Sequence, residues 1–124
     1  MTDSKQAETN SLEIEVTRLL HRIGVPAHIK GHEYLRIAII LAVEYPDKGY
    51  SMTKYIYPEI ARRFSVSYAS VERAMRTAVE LSWDRGDITL LSELFEYTIS
   101  CEKGKPTNYE FVSLLADRIR IKRA

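Results

Sequence analysis

Three charged residues, Glu72, Arg73 and Arg76, share one face of a segment with helical periodicity. An arginine can donate two parallel hydrogen bonds to O6 and N7 of guanine, and a glutamate can accept one from the amino group of cytosine. Adjacent helix positions differ by about 100°, so Glu72 and Arg73 can reach one groove of duplex DNA at different base pairs. Arg76, one turn later, suits a phosphate contact or the orientation of Arg73. We therefore expect these three residues to form a base-reading set.

The elements that must position this set are those of a helix-turn-helix. The sequence predicts a short helix over 58–64, a polar turn over 65–67 and a longer helix over 68–85. In such motifs the first helix crosses the DNA backbone and the second enters the major groove. Apolar residues at spacings of three and four predict the inward face of the second helix: Val71, Ala74, Met75, Ala78 and Leu81. The two alanines are expected to let the motif helices approach closely.

Residues around the predicted reading helix offer groups that suit phosphate oxygens. Ser67, Tyr68 and Ser70 carry hydroxyls at its N-terminus, where free amides also favour an anion, and Ser67 is the predicted N-cap. Four basic residues elsewhere are further candidates for backbone contacts: Lys54, Arg62, Arg63 and Lys105. For these four the alternative is an ordinary solvated surface charge.

The remaining periodicity predicts an all-α fold of about six helices. Asn10 and Glu13 resemble a capping box that opens a first helix, which ends before Gly24, and a buried second helix is predicted over 32–45. Residues 1–10 are expected to be a disordered lead or linker remnant, and residues 11–124 the effector domain.

The C-terminal third of the chain predicts two further helices and one extended segment. Asp87 is the predicted cap of a short helix that ends near Tyr97, and residues 98–101 are β-branched enough to be extended. Thr107 with Glu110 forms a second predicted capping box, which opens the last helix.

Composition bounds the class of protein. The chain has 124 residues, 45% of them hydrophobic, and a single cysteine, which indicates one domain without an internal disulfide. No apolar run is long enough to span a bilayer and no secretory signal is recognisable, so a cytoplasmic location is expected.

The net charge of +1 hides an uneven distribution. Residues 51–86 carry six basic and four acidic side chains, and residues 103–124 carry six and two. Residues 87–102 carry four acidic side chains and no basic one. A nearly neutral protein can therefore present a basic face to nucleic acid.

Patterns for catalysis or metal binding are weak. His28 and His32 are four residues apart, but Gly31 intervenes and no third ligand is near, so no metal is expected. Cys101 follows an apolar segment and is expected to be a small packing residue. We expect no cofactor and no enzymatic activity.

Several blocks of the sequence resemble a known family in the same order. The blocks are residues 24–31, 34–36, 53–61, 71–76 and 105–108. Together they make residues 11–121 closely similar to the C-terminal effector domains of the stage zero sporulation protein A family of response regulators. No phosphoacceptor receiver precedes residue 11, so we expect either a piece of a longer regulator or a stand-alone effector.

The resemblance implies a six-helix domain that binds a short duplex DNA element, often as head-to-tail pairs on tandem copies. It also implies contact with an RNA polymerase sigma factor and activation or repression of promoters, with Glu72 and Arg73 reading bases and Arg76 in support. Tyr68, Ser70 and Thr77 depart from the usual residues of the family. We therefore expect an altered or relaxed base preference.

A second interpretation is a protein-interaction module of the same fold with weakened DNA specificity. The sigma-factor or partner surface is predicted on the acidic segment that follows the reading helix. Its candidate residues are Leu91, Glu93, Leu94 and Glu96.

Overall fold

The structure, a computed structural model, describes residues 2–49, 51–86, 88–95 and 104–124. Within these ranges every regular secondary-structure element is a helix. The helices are α1 Thr2–Arg22, α2 Lys30–Glu44, α3 Pro46–Gly49, α4 Tyr57–Phe64, α5 Tyr68–Arg85, α6 Ile88–Phe95 and α7 Asn108–Arg123. A π-helical turn, Met52–Ile56, leads directly into α4. Six of the described helices have eight or more residues, which confirms the predicted all-α fold of about six helices.

Helix α2 is the centre of the bundle and packs against α1, α5 and α7. Leu35 and Ile39 of α2 are fully buried, and so are Val16 of α1 and Phe111 of α7. Removing such side chains from water is the main term that favours folding, about 1.5–3 kcal/mol for each large apolar residue. The reading motif of α4 and α5 is therefore mounted on an apolar core.

Gly31 allows the start of α2 to lie directly against α5. A Cβ placed on Gly31 would collide with the backbone carbonyl of Ala74 and lie 2.7 Å from the Cβ of Ala78. The two small residues of α5 thus accommodate α2. The helix that these two alanines are seen to admit is α2, and their predicted role in bringing the two motif helices together stays a prediction.

Helix α1 begins earlier than the sequence predicts. It starts at Thr2, and Asn10 lies inside it, where its side-chain oxygen accepts a hydrogen bond from Gln6. The capping box predicted at Asn10 is therefore absent, because the amides it would satisfy already lie within a helix. The helix ends as predicted before Gly24, whose φ of 86° is the left-handed conformation that glycine tolerates. The division of the chain at residue 10 stays a prediction.

The inner face of α5 differs from its predicted pattern at the C-terminal end. Val79 and Ser82 are buried, whereas Leu81 is only half-buried. The Ser82 hydroxyl donates to the carbonyl of Ile23 over 2.5 Å, so a polar side chain joins the end of α5 to the end of α1. Hydropathy alone does not reveal such a buried serine.

Some predictions lie outside the described residues. These are the cap at Asp87, the partner residue Glu96, the extended segment 98–101 and Cys101. The final capping box is confirmed, since Thr107 accepts from the Glu110 amide and Glu110 accepts from the Thr107 amide. Across the described ranges, no helix is both long and apolar enough to cross a bilayer.

Candidate nucleic-acid interface

The turn between α4 and α5 has the compact geometry of a helix-turn-helix. Helix α4 ends at Phe64, and Ser65 adopts the left-handed conformation with φ 53°. The Val66 amide donates to the carbonyl of Ala61 over 3.1 Å, which closes the end of α4. The chain then turns extended at Ser67 and enters α5. The predicted helix-turn-helix is confirmed.

Ser67 caps α5, as predicted. Its hydroxyl oxygen accepts a hydrogen bond from the Ser70 amide over 3.1 Å and contacts the Ser70 hydroxyl at 2.8 Å. Both serines and Tyr68 remain exposed. An exposed hydroxyl can hold the cap and still approach an anion, because it has more than one hydrogen-bonding position.

The outer face of α5 presents the three predicted base-reading residues together. Arg73 is exposed and makes no hydrogen bond or ion pair with any described residue. Arg76 Nη1 donates to Glu72 Oε1 over 2.8 Å, with the Arg76 side chain 54% and the Glu72 side chain 31% exposed. Val71 and Met75 face the opposite way and are fully buried. Among the described residues, the free protein therefore has Arg73 without a hydrogen bond or ion pair beside the Glu72–Arg76 pair. Arg76 contacts Glu72, and its predicted role in orienting Arg73 stays a prediction.

A buried polar cluster that the sequence analysis missed lies behind this face. Asn108 donates through Nδ2 to the Tyr57 hydroxyl over 2.9 Å and to the Glu72 carbonyl over 3.1 Å. Burial raises the pKa of the Tyr57 phenol, so its hydroxyl stays protonated at neutral pH. The sequence signal that could have found Asn108 is a polar residue on the inner face of an apolar helix, directly after the Thr107 cap.

The predicted backbone-contact cations are all exposed, but three of them are engaged. Arg62 and Arg63 both donate to Glu59, over 2.9 and 3.1 Å. The hydrogen bond from Arg62, and then that from Arg63, lowers the pKa of Glu59. Lys105 pairs with Asp84 at 3.1 Å, while Lys54 is exposed on the π-helical turn. Exposed pairs of this kind are weak, so the cations can exchange their partners.

A shallow cleft of about 290 Å³ lies where the start of α2 meets the reading face of α5. Lys30 lines it on the α2 side, and Ser70, Arg73 and Thr77 line it on the α5 side. Gly31 brings the two walls together. Lys30 is a basic residue beside the reading face that the sequence analysis did not select, because its partner α5 is about forty residues away in the chain.

The predicted partner surface on α6 is only partly available. Leu91 and Leu94 are 3% and 6% exposed, so they belong to the core and do not line an open surface. This corrects the prediction. An amphipathic helix packs its apolar face against the core, and in α6 that face carries both leucines. Glu93 is exposed.

Two of the three histidines lie close together. The rings of His21 and His32 lie 5.2 Å apart, and His32 is buried. Within the described ranges, no three His, Cys, Asp or Glu side chains are grouped in a way that could hold a metal ion.

Comparison with known families agrees with this geometry. Residues 16–119 match the family described as "Sporulation initiation factor Spo0A C terminal", so the match covers most of the chain and includes both helices of the motif. The chain therefore belongs to the Spo0A C-terminal family of sporulation transcription factors, whose members are DNA-binding regulatory domains.

Proposed function

We propose that this domain binds duplex DNA sequence-specifically by inserting the N-terminal half of α5 into the major groove. The observation that carries the proposal is the division of α5 into two faces. Val71 and Met75 are fully buried on one face, while Arg73 is exposed on the other beside the Glu72–Arg76 pair. A helix fixed on one side and charged on the other suits insertion into a groove.

The state of each side chain supports a division of roles within the reading set. Arg73 has no partner to give up among the described residues, so its two parallel donors can meet O6 and N7 of a guanine. Glu72 accepts from Arg76 at Oε1, which leaves Oε2 to accept from the amino group of a cytosine. Arg76 then supports the orientation of Glu72 while its charge stays near the DNA.

Contacts to the DNA backbone complete the proposal. Ser67, Tyr68 and Ser70 approach a phosphate at the start of α5, where helix amides favour an anion. Arg62 and Arg63 exchange Glu59 for phosphate oxygens, because an exposed ion pair costs little to break. The remaining proposed contacts are Lys54 and Lys105.

The test begins with selection of preferred duplexes from a random library, followed by mobility-shift titration of the enriched duplex and a scrambled one. Arg73→Ala is expected to reduce the preference by about 10- to 100-fold, since one bidentate contact discriminates by about 1–3 kcal/mol. Weak binding to both duplexes should remain and should weaken steeply with salt.

The matched control is Arg85→Ala, which removes an exposed arginine at the C-terminal end of the same helix. It is expected to leave the preference unchanged, because it lies almost five helical turns from the start of α5. Equal behaviour of the Arg73 and Arg85 variants would show that this face does not read bases.

We further propose that Glu93 contributes to contact with an RNA polymerase sigma factor during promoter regulation. The support is that Glu93 is exposed on α6 while its neighbours Leu91 and Leu94 are buried, so the available chemistry there is acidic. Capture by the sigma subunit should fall in Glu93→Lys and persist in Glu80→Lys, which reverses an exposed charge on α5. Unaltered capture by the Glu93 variant would remove this contact from the proposal.

The second candidate, an interaction module with weakened DNA specificity, predicts a different result from the same experiments. Library selection would then enrich no sequence while sigma capture persists. Departures from the usual family residues at Ser70 and Thr77, both of which line the cleft beside Arg73, favour keeping this candidate. Head-to-tail pairing is proposed as well, and duplexes with one or two copies of the enriched sequence test it through cooperative binding.

A further inference from the structure

Asn108, the first residue of α7, makes hydrogen bonds to both helices of the reading motif. Its side chain is buried, and Nδ2 lies 2.9 Å from the Tyr57 hydroxyl on α4 and 3.1 Å from the Glu72 carbonyl on α5. The capping box of Thr107 and Glu110 fixes where α7 begins. The amide is therefore held in place by the start of its own helix.

The contact to Glu72 is made to the backbone of a proposed base reader. Inside α5 this carbonyl also serves the intrahelical hydrogen bond, so Asn108 adds a second donor to it. The Glu72 side chain is held separately by Arg76 at 2.8 Å. Glu72 is thus fixed at both its backbone and its carboxylate, whereas the side chain of its neighbour Arg73 has no hydrogen bond or ion pair with the described residues.

Tyr57 extends the same constraint to the start of α5. Its ring meets the ring of Tyr68 edge to face, with centroids 5.1 Å apart and an interplanar angle of 75°. Tyr68 is the first residue of α5, so the Tyr57 ring contacts that end of the helix. The hydroxyl of the same Tyr57 accepts the hydrogen bond from Asn108. The chain of contacts fixes α5 relative to α4 along its first two turns.

Stability alone gives a poor account of an amide at this position. Asn108 Oδ1 is buried and has no hydrogen-bond partner among the described residues. An unpaired buried oxygen loses its hydration without compensation, and a leucine of similar shape would avoid that loss. The directional donors of the amide are what an apolar residue cannot replace.

We infer that Asn108 is a positioning residue that sets how Glu72 meets its base pair. The inference rests on the proposed function, because it assumes that Glu72 reads a base. Asn108 does not touch DNA itself. It places the Glu72 backbone relative to Tyr57, and thereby sets the depth and angle at which the carboxylate enters the groove.

Library selection with sequencing tests the inference position by position. Glu72→Ala first identifies the base pair that Glu72 reads. Asn108→Leu, which removes both donors, is expected to lose about tenfold preference at that same base pair. Preferences that disappear in Arg73→Ala should persist in Asn108→Leu, because α5 remains folded and exposed.

The control for a merely structural role is Ile119→Val, which loosens the buried face of the same helix. It is expected to lower thermal stability without changing any base preference, measured at a temperature where the variant is folded. Should Asn108→Leu fail to fold, Tyr57→Phe removes the hydroxyl acceptor alone and is expected to give a partial loss at the Glu72 position.

Three outcomes decide the matter. A folded Asn108 variant with wild-type preference at the Glu72 position overturns the inference, and so does an equal loss at every position, because that would reflect general loosening. If Glu72→Ala and Arg73→Ala both leave all preferences unchanged, the proposed function itself is wrong and the inference falls with it.

Discussion

Individual polar side chains in the core of this domain differ in how well they are satisfied. Ser82 and Asn108 donate hydrogen bonds across helices, whereas His32 Nε2 is buried without a partner among the described residues. Burial lowers the pKa of His32, and the nearby charges of His21 and Arg36 lower it further. At neutral pH the folded protein therefore favours the neutral form of this imidazole.

The pH dependence of stability follows from this lowered pKa. Because the unfolded chain binds the proton near the ordinary value of 6.5 and the folded chain only below it, stability is full above pH 6.5 and declines as the pH falls through the folded pKa. The loss approaches about 1.4 kcal/mol for each unit between the two values. Thermal melts from pH 7.5 to 5 measure it.

His28 provides the matched control for this prediction, since it is an exposed histidine four residues away. His28→Gln should keep the decline seen in the wild type, and His32→Leu should flatten it. A decline of unchanged size in His32→Leu would assign the pH dependence to other groups.

At the scale of elements, the reading helix depends on its first turn. Ser67 satisfies the Ser70 amide, and no acidic residue lies in the first turn of α5. Four amides of a helix N-terminus lack intrahelical partners, so a capping side chain matters most where no acidic side chain complements the helix dipole. The same turn carries the proposed phosphate contacts, which couples stability to DNA binding.

Substitution of Ser67 separates these two roles. Ser67→Ala is expected to lower the free energy of unfolding by about 1 kcal/mol, because the cap is lost. Ser67→Asp should keep most of that stability, since aspartate also caps and favours the helix dipole, but it should weaken DNA binding by placing a negative charge beside a phosphate. Denaturant unfolding and mobility shift measure the two effects.

If Ser67→Asp binds DNA as tightly as the wild type, this turn does not approach the backbone. Ser11→Asp is the matched control, because it places the same negative charge on an exposed serine of α1, beside Arg123 at the far end of α7. It should leave both stability and DNA affinity nearly unchanged.

Over the whole molecule, charge is unevenly distributed although the net charge is only +1. Arg73 and Arg76 lie on the reading face of α5, Arg62 and Arg63 are exposed on α4, and Glu93 is exposed on α6. Each phosphate neutralised by a lysine or arginine releases counterions, so the slope of log K against log salt concentration reports the number of phosphate contacts.

Substitution of Lys105 tests whether this residue is one of the phosphate contacts. Lys105→Ala should weaken binding to all duplexes similarly and reduce the slope of log K against log salt concentration by about one. Lys122→Ala, which removes an exposed lysine at the far end of α7, should leave the slope unchanged. Equal slopes for both variants and the wild type would exclude Lys105 from the backbone contacts.

The elements of the motif could be predicted from sequence because their signals are local. The span of α5 and the caps at Ser67 and Thr107 depend on residues at most four positions apart. The start of α1 could not be predicted in this way, because a good capping pattern at Asn10 also fits a helix interior. The burial of Leu91 and Leu94 could not be predicted either, because it depends on which face of α6 packs against the core.

The sequence by itself determined the spans of α4 and α5, the caps at Ser67 and Thr107 and the charged face of α5, since hydropathy period and capping chemistry act within a few residues. Only the tertiary structure decided that Gly31 lies against Ala74, and that Asn108 reaches the carbonyl of Glu72 across 36 positions of the chain. Such contacts depend on how whole helices pack, and packing is settled by the joint burial of all their apolar faces. The charged residues of α5 could be identified from the sequence, whereas the contacts between helices that position them could not.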